Sequence, residues 1–283
     1  MIQGSCLCGE IAYEVQAPLL HAHHCHCGFC RKEHGTPYAT YGVAPASGMK
    51  WLRGEEKIAR YESSPGFHRA FCPRCGSILP GDAAQGFQFL PLGNLDGDPG
   101  VRPEMHIFAG SKAGWWEIRD GLPQHAAFPP AFGDAPVMAT REPRDPPGRP
   151  RGSCLCGRVA FVLEGEPRFA RNCYCGRCRK ARAAGHASNL VVAADDLRFT
   201  RGEEELVTWK IPGARFFTQV FCRTCGSKLP RIDPGRGIAV VPLGALDDDA
   251  PLAPQVHIFG ADKAPWIGIH DALPQHEAYP PEA

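Results

Sequence analysis

The sequence Cys25-His26-Cys27-Gly28-Phe29-Cys30-Arg31-Lys32 places three thiols within six residues. The chain repeats this stretch as Cys173-Tyr174-Cys175-Gly176-Arg177-Cys178-Arg179-Lys180. Three thiolates at this spacing can hold one soft metal ion, with zinc the first choice. A catalytic zinc usually has three protein ligands, and its fourth position is left for water or substrate. The two triplets are therefore candidate functional centres, and the other cysteines must be assigned before the triplets can be interpreted.

The whole chain is an internal repeat. The motif Gly-Ser-Cys-Leu-Cys-Gly at residues 4–9 returns at 152–157, and Phe-Cys-X-X-Cys-Gly-Ser at 71–77 returns at 221–227. The offset drifts only from 148 to 151 residues, so the copies are collinear. Residues 133–151 are polar and contain five prolines, which is typical of a linker. We predict two tandem domains of the same fold, at 1–132 and 152–283, joined by a Pro-rich linker at 133–151.

Composition narrows the class of protein. The chain has 283 residues, enough for two domains, and a net charge of +1, which gives no electrostatic reason to expect nucleic acid or an anionic membrane as partner. The first residues lack the basic and apolar regions of a signal peptide, and no apolar run approaches the ~20 residues that span a bilayer. We therefore expect a cytoplasmic protein that binds neither nucleic acid nor membrane. The sequence does not decide its oligomeric state.

Hydrophobic alternation predicts a mainly β fold. Apolar residues at 11, 13 and 15 alternate with polar or small ones, and residues 159, 161 and 163 repeat the pattern. Further strands are predicted at residues 37–43, 57–61, 67–71, 87–92 and 105–108. Only one helical turn is predicted, after Cys30. The sequence does not specify the order of the strands.

The outer cysteine pairs have the spacing of a closed metal site. Each copy has seven cysteines, an odd number that cannot be fully paired, and in a reducing compartment their spacings favour metal over disulfides. Two short pairs, each closing on a glycine, supply four thiolates and leave no open position. We predict a structural zinc on each set of four. The ligands are Cys6, Cys8, Cys72 and Cys75 in copy one and Cys154, Cys156, Cys222 and Cys225 in copy two.

The triplets allow two interpretations. One is a second structural zinc whose fourth ligand comes from elsewhere in the chain, and the other is an open, functional zinc. The histidines near the first triplet do not recur in the second, where Asn172, Tyr174 and Arg182 stand in their places. His106 and His125 do recur, as His257 and His276, and are most simply core or surface histidines. We favour open sites. Their candidate catalytic and zinc-binding residues are Cys25, Cys27, Cys30, Cys173, Cys175 and Cys178.

These three motifs in this order resemble the glutathione-dependent formaldehyde-activating enzymes, a family that also includes centromere protein V. In both copies sixteen residues separate the first motif from the second, and 41 or 43 separate the second from the third. The resemblance implies a zinc-binding β-tent fold in each copy, with a structural zinc on the outer pairs and a functional zinc on the triplet. That is two zinc ions per domain and four per chain. It also implies an enzyme that joins formaldehyde to glutathione as S-hydroxymethylglutathione, a carbon–sulfur lyase reaction in reverse.

Two functions are compatible with the sequence. The first is a zinc-dependent lyase whose partners are a small-molecule thiol, with glutathione as a possible cosubstrate, and a small aldehyde. Arg31 and Arg179 directly follow the triplets and are candidates to bind a glutathione carboxylate. The alternative for these arginines, and for Lys32 and Lys180, is an exposed helical turn. The second function is a non-catalytic zinc module that presents a protein-interaction surface.

Overall fold

The computed structural model describes residues 1–129 and 148–280, and in each copy these residues form three small β-sheets and one short α-helix. The strands of copy one are β1 Ile2–Ser5, β2 Ala12–Val15, β3 His21–Cys25, β4 Ala39–Pro45, β5 Met49–Arg53, β6 Ala59–Ser64, β7 Phe67–Phe71, β8 Ile78–Leu79, β9 Phe87–Pro91, β10 Leu95–Asp96 and β11 Pro103–Ile107. Those of copy two are β12 Arg151–Ser153, β13 Ala160–Leu163, β14 Phe169–Cys173, β15 Ala187–Ala193, β16 Leu197–Arg201, β17 Leu206–Lys210, β18 Thr218–Cys222, β19 Arg231–Asp233, β20 Ile238–Pro242 and β21 His257–Ile258. The helices are α1 Gly28–His34 and α2 Gly176–Arg182.

The sheet topology of the two copies corresponds. Copy one has the orders β10-β1-β2-β5, β11-β3-β4-β9 and β6-β7-β8. Copy two has β12-β13-β16, β19-β20-β15-β14-β21 and β17-β18. The pairs β3–β11 and β14–β21 are parallel, and the other strand pairs in the described residues are antiparallel. The prediction of a mainly β protein made of two tandem domains is confirmed. Most of the predicted linker lies outside the described residues, so the domain limits stay a prediction.

The sequence pattern located strands better than helices. The five later strands predicted for copy one match β4, β6, β7, β9 and β11 to within three residues at either end. The helical turn expected after Cys30 is part of α1, which begins at Gly28. Cys27 is its N-cap and accepts the amide of Cys30 through Sγ at 3.4 Å, and Gly35 ends it in the left-handed region with φ 67°. The helix is thus built around the triplet.

Each copy has a hydrophobic core behind its outer cysteines, and the copy-one cluster also contains Tyr174, Ala264, Trp266 and Ile267 of copy two. In copy one Ile11, Tyr13 and Val15 are fully buried, as the alternation predicts, and they pack in a cluster that includes Cys6, Cys72 and Cys75. In copy two Val159, Phe161 and Leu163 do the same beside Cys154, Cys222 and Cys225. The described residues contain no helix long and apolar enough to cross a membrane.

The two copies pack against each other closely. Phe71 and Phe221 meet edge to face with ring centroids 6.3 Å apart and are 1% and 0% exposed, so both are core residues. Gly93 lies against the backbone of Ala183 and Ala184, where an added Cβ would overlap the main chain. Gly244 makes the corresponding approach to the end of α1. The close fit at these two positions requires glycine because any side chain would separate the copies.

Candidate zinc centres and their pockets

The outer pairs converge in both copies as the spacing predicts. The four sulfurs of each set lie within 4.8 Å of one another, and none of the chain's fourteen cysteines is in a disulfide. The knuckle glycines Gly9, Gly76, Gly157 and Gly226 all have φ between 71° and 76°. Backbone amides point at sulfur: Ile11 N donates to Cys6 Sγ at 3.4 Å, and Val159 N to Cys154 Sγ at 3.2 Å. Four thiols in this arrangement can close a tetrahedral zinc site.

The triplets also converge, at the junction of a strand and a helix. Cys25 is the last residue of β3, Cys27 caps α1, and Cys30 lies in its first turn. The three sulfurs of each triplet lie within 4.8 Å of one another, and no His, Cys, Asp or Glu of the described residues adds a fourth ligand atom within that range. The donor set fits a metal with a free position, which favours the open site over the second structural zinc.

The neighbouring thiols of each triplet lower the pKa of its middle cysteine. Hydrogen bonds from Cys173 and Cys178 lower the pKa of Cys175 to about 3, against burial, which raises it. The thiols of Cys25 and Cys30 likewise hold the pKa of Cys27 well below its usual value. In each triplet the two neighbouring thiols thus favour the thiolate form of the middle cysteine. Thiolate is the form that ligates metal.

The copy-two triplet opens into a large, basic cavity of about 800 Å³. Seven arginines line it: Arg171, Arg177, Arg179, Arg182, Arg215, Arg231 and Arg236. Asp262 is the acidic residue among the lining side chains. Phe216 is flanked by two of the arginines, with Arg236 4.5 Å and Arg215 4.7 Å from its ring centroid. These contacts hold the two guanidinium groups at the wall of the cavity, and Arg236 is also ion-paired with Asp233 at 2.7 Å.

The copy-one triplet opens into a smaller and largely aromatic cavity of about 360 Å³. Its aromatic walls are Tyr41, Phe67, Phe89, Phe108 and Phe128. Arg69 is the arginine in this lining, and it is ion-paired with buried Glu33 while its Nη1 lies 3.9 Å from Cys30 Sγ. Copy two has Ala181 and Gln219 at the positions of Glu33 and Arg69. The two cavities therefore have different chemistry around the same three thiols.

The arginines singled out from the sequence lie at the boundary between the copies. Arg179 lines the copy-two cavity, but its Nη1 donates to the carbonyls of Gly93 at 3.1 Å and Leu95 at 3.0 Å in copy one. Arg31 lines a separate groove next to Ser153, and burial lowers its pKa. Binding of glutathione by Arg31 and Arg179 stays a prediction. Arg215, Arg231 and Arg236 were missed because they lie far from the triplet in sequence. Arg171, Arg177 and Arg182 lie near it and were not singled out.

The alternative prediction, that Lys32 and Lys180 lie on an exposed helical turn, is wrong. Lys32 Nζ lies 2.6 Å from Asp247 Oδ1 and donates to the carbonyl of Ser153 at 2.8 Å. Lys180 Nζ lies 2.7 Å from Asp96 Oδ1 and donates to Ser5 Oγ at 2.7 Å. Each triplet helix is thus bonded across the interface to the opposite copy. The sequence suggested exposure because both partners come from the distant half of the chain.

Comparison with known proteins identifies the family. The model of the glutathione-dependent formaldehyde-activating enzyme family matches residues 1–111 and 149–262. The chain belongs to this family. A crystal structure of a Rhodobacter sphaeroides protein is similar, with 26% identity over 34% of this chain and 88% of that chain, and a TM-score of 0.30. No curated protein matches the chain. Membership in the formaldehyde-activating family supports an enzyme-like function connected with glutathione and aldehydes, and the non-catalytic module is not favoured.

Proposed function

We propose that the chain is a zinc-dependent lyase-type enzyme that joins glutathione, or another anionic thiol, reversibly to formaldehyde or a related small aldehyde. The triplets are the reaction centres, and the copy-two triplet is the glutathione site. One observation supports this choice above the others: seven arginines line the cavity over Cys173, Cys175 and Cys178. Four zinc ions per chain, two on the outer sets and two on the triplets, complete the proposal. Fourteen free thiols suit a reducing compartment such as the cytoplasm.

The charge of the copy-two cavity suits glutathione. At neutral pH glutathione carries two carboxylates and one ammonium group, so it is a net anion. An arginine binds a carboxylate through two parallel N–H groups, which makes it better suited to this task than a lysine. Arg171 lies two residues before Cys173 and is stacked 5.3 Å from the Phe169 ring centroid and 5.7 Å from that of Tyr279. Its guanidinium is thereby held beside the triplet.

The reaction needs a thiol sulfur and an aldehyde carbon at one place. Cys173, Cys175 and Cys178 would hold a zinc ion, which would favour ionisation of a thiol bound at its free position. A carbon–sulfur bond forms between the sulfur and the aldehyde carbon, and the carbonyl oxygen takes the proton that the thiol releases. The arginines contribute by orienting the carboxylates, which converts a bimolecular encounter into one within the site. The cavity of about 800 Å³ has room for a tripeptide arm above the triplet.

The copy-one cavity suits a different substrate. Its lining is mostly aromatic, and its one arginine is already paired with Glu33. A second carboxylate would have to displace Glu33 from a buried ion pair, which is costly. We therefore propose that copy one takes an uncharged, more apolar thiol or aldehyde and turns glutathione over poorly.

Paired variants test the proposal. Arg171→Gln and Arg236→Gln together should weaken glutathione binding to the zinc-loaded chain at least tenfold, because each charge-assisted hydrogen bond contributes about 1.5–3 kcal/mol. Arg198→Gln is the matched control, since Arg198 is exposed, pairs with Glu164 and lies outside the cavity. Calorimetric titration with glutathione measures the effect. Equal affinity in all three proteins, or no binding by the wild type, would refute the glutathione site.

A further inference from the structure

A third type of site, without cysteine ligands, lies between the copies. A cavity of about 440 Å³ is lined by residues of both copies. His24, His106 and Asp120 all contribute to its lining, and one ligand atom from each lies within 4.8 Å of the others. His24 and His106 are 5% and 2% exposed, so both imidazoles are buried at the inner end of a cleft between the copies. Two imidazoles and a carboxylate are the ligand set of many divalent transition-metal sites that keep open positions.

Neighbouring side chains orient the two rings. Nδ1 of His106 lies 2.8 Å from Nε2 of His26, and its Nε2 lies 2.8 Å from Oδ1 of Asp120. Nδ1 of His24 lies 2.9 Å from Oγ1 of Thr40. A histidine that binds metal through one ring nitrogen usually gives its other N–H to such a partner. His26 and Thr40 are therefore in place as the outer partners of the two imidazoles.

We propose that His24, His106 and Asp120 bind one divalent transition-metal ion, zinc in the first instance, with its open positions toward the cavity between the copies. The ion takes the place of the proton between His106 Nε2 and Asp120 Oδ1. His106 stays neutral because its proton then resides on Nδ1, from which it donates to His26 Nε2, and His26 carries its own proton on Nδ1. The site is separate from the thiolate centres in both ligand chemistry and access.

Copy two shows that the fold does not require this cluster. His257 there keeps the same bond to Asp271, at 2.8 Å, but its Nδ1 faces the hydroxyl of Tyr174 at 3.1 Å. Asn172 stands in the place of His24 and accepts a hydrogen bond from Ser188 Oγ at 2.6 Å. The same strand pairing thus forms with an amide in place of the third ligand. We therefore expect one such metal per chain, in copy one.

Cobalt binding to the zinc-loaded full-length chain tests the site. Four equivalents of Zn²⁺ per chain load the thiolate centres, whose sulfur ligands bind zinc more tightly than two imidazoles and a carboxylate, and leave the proposed site free. Co²⁺ binds more weakly than Zn²⁺ at a given site, so it should leave the thiolate centres loaded and bind at the proposed site. We expect one equivalent of Co²⁺ per chain, with weak visible bands and no intense near-ultraviolet sulfur-to-cobalt band. His24→Asn, which introduces the residue found in copy two, and Asp120→Asn should each weaken Co²⁺ binding on the order of 100-fold. Loss of a metal ligand should lower the affinity at least as much as loss of a residue that hydrogen-bonds to a ligand.

Asp271→Asn is the matched control, because it breaks the equivalent histidine–aspartate bond in copy two, in the same cavity, and removes none of the three proposed ligands. It should bind Co²⁺ as the wild type does. The proposal fails if the zinc-loaded wild type takes up no Co²⁺, if uptake produces only the sulfur band, or if all three variants bind alike. Circular dichroism of each variant distinguishes loss of the site from loss of the fold.

Discussion

Replacing Lys32 with alanine should destabilise the chain more than replacing Lys180, although both lysines occupy equivalent positions. Lys32 and Asp247 are 15% and 9% exposed, so the variant leaves a largely buried carboxylate without its cation. Breaking a buried pair from one side costs about 3–5 kcal/mol, and the hydrogen bond that Asp247 receives from Ser153 Oγ at 3.0 Å reduces this to roughly 2–4 kcal/mol. Asp96, the partner of Lys180, is 52% exposed, so breaking this pair with Lys180→Ala should cost only about 1 kcal/mol.

Urea denaturation of the zinc-loaded chain, followed by circular dichroism, measures the difference. The midpoint of Lys32→Ala should fall well below that of Lys180→Ala at an unchanged slope. Arg60→Ala is the control, since Arg60 and its partner Asp82 are 41% and 47% exposed, so breaking this pair leaves no buried charge. Adding Asp247→Asn to Lys32→Ala should restore part of the lost stability, because the buried charge is then removed. Equal losses for Lys32→Ala and Lys180→Ala would refute the assignment of this difference to burial.

Three further predictions concern the metal sites and the interface. Mild chelation should first remove the triplet metals and leave the fold intact, because three ligands with a free position hold a metal ion less firmly than four ligands do. Loss of all metal in one step, coupled to unfolding, would contradict this prediction. Cys175→Ser should abolish turnover of glutathione with formaldehyde while Cys27→Ser leaves most of it, and the reverse result would assign glutathione to copy one. Gly93→Ala should destabilise the chain by about 1–3 kcal/mol, because the added methyl group overlaps Ala184. Thermal unfolding measures the loss, and Gly121→Ala is the control because an added Cβ there has nothing within 4 Å and should be neutral.

The cysteine clusters could be predicted from the sequence because their geometry is largely local. A Cys-X-Cys or Cys-X-X-Cys pair that closes on glycine makes a turn whose sulfurs point the same way. The positive φ of Gly9 and Gly76 confirms that turn. Repetition of the same motifs in both halves then identified which pairs belong together. The strands were predictable for a similar reason, since alternation at residues 11–15 is a property of neighbouring positions.

The linings of the two cavities could not be predicted because they assemble from distant strands. Arg231 and Arg236 follow the copy-two triplet by more than fifty residues, and nothing in their local sequence indicates that they return to it. One signal was present: aligning the copies places Arg171 opposite His23 and Arg177 opposite Phe29. Both differences lie beside or within the triplet, and both place a positive charge in copy two. The sequence showed that the copies differ near the metal, but only the fold shows the size of the difference.

The interface explains why divergence of the pockets is compatible with two intact sets of metal ligands. Lys32, on the helix of the copy-one triplet, bonds to Ser153, the residue directly before Cys154 of the copy-two outer set. Lys180 bonds in the same way to Ser5, directly before Cys6. The outer site of each copy therefore supports the triplet helix of the other. Loss of the metal from either outer set should therefore disturb the triplet of the opposite copy. The ligand sets are thus coupled through the interface, whereas the side chains that face each cavity are free to differ.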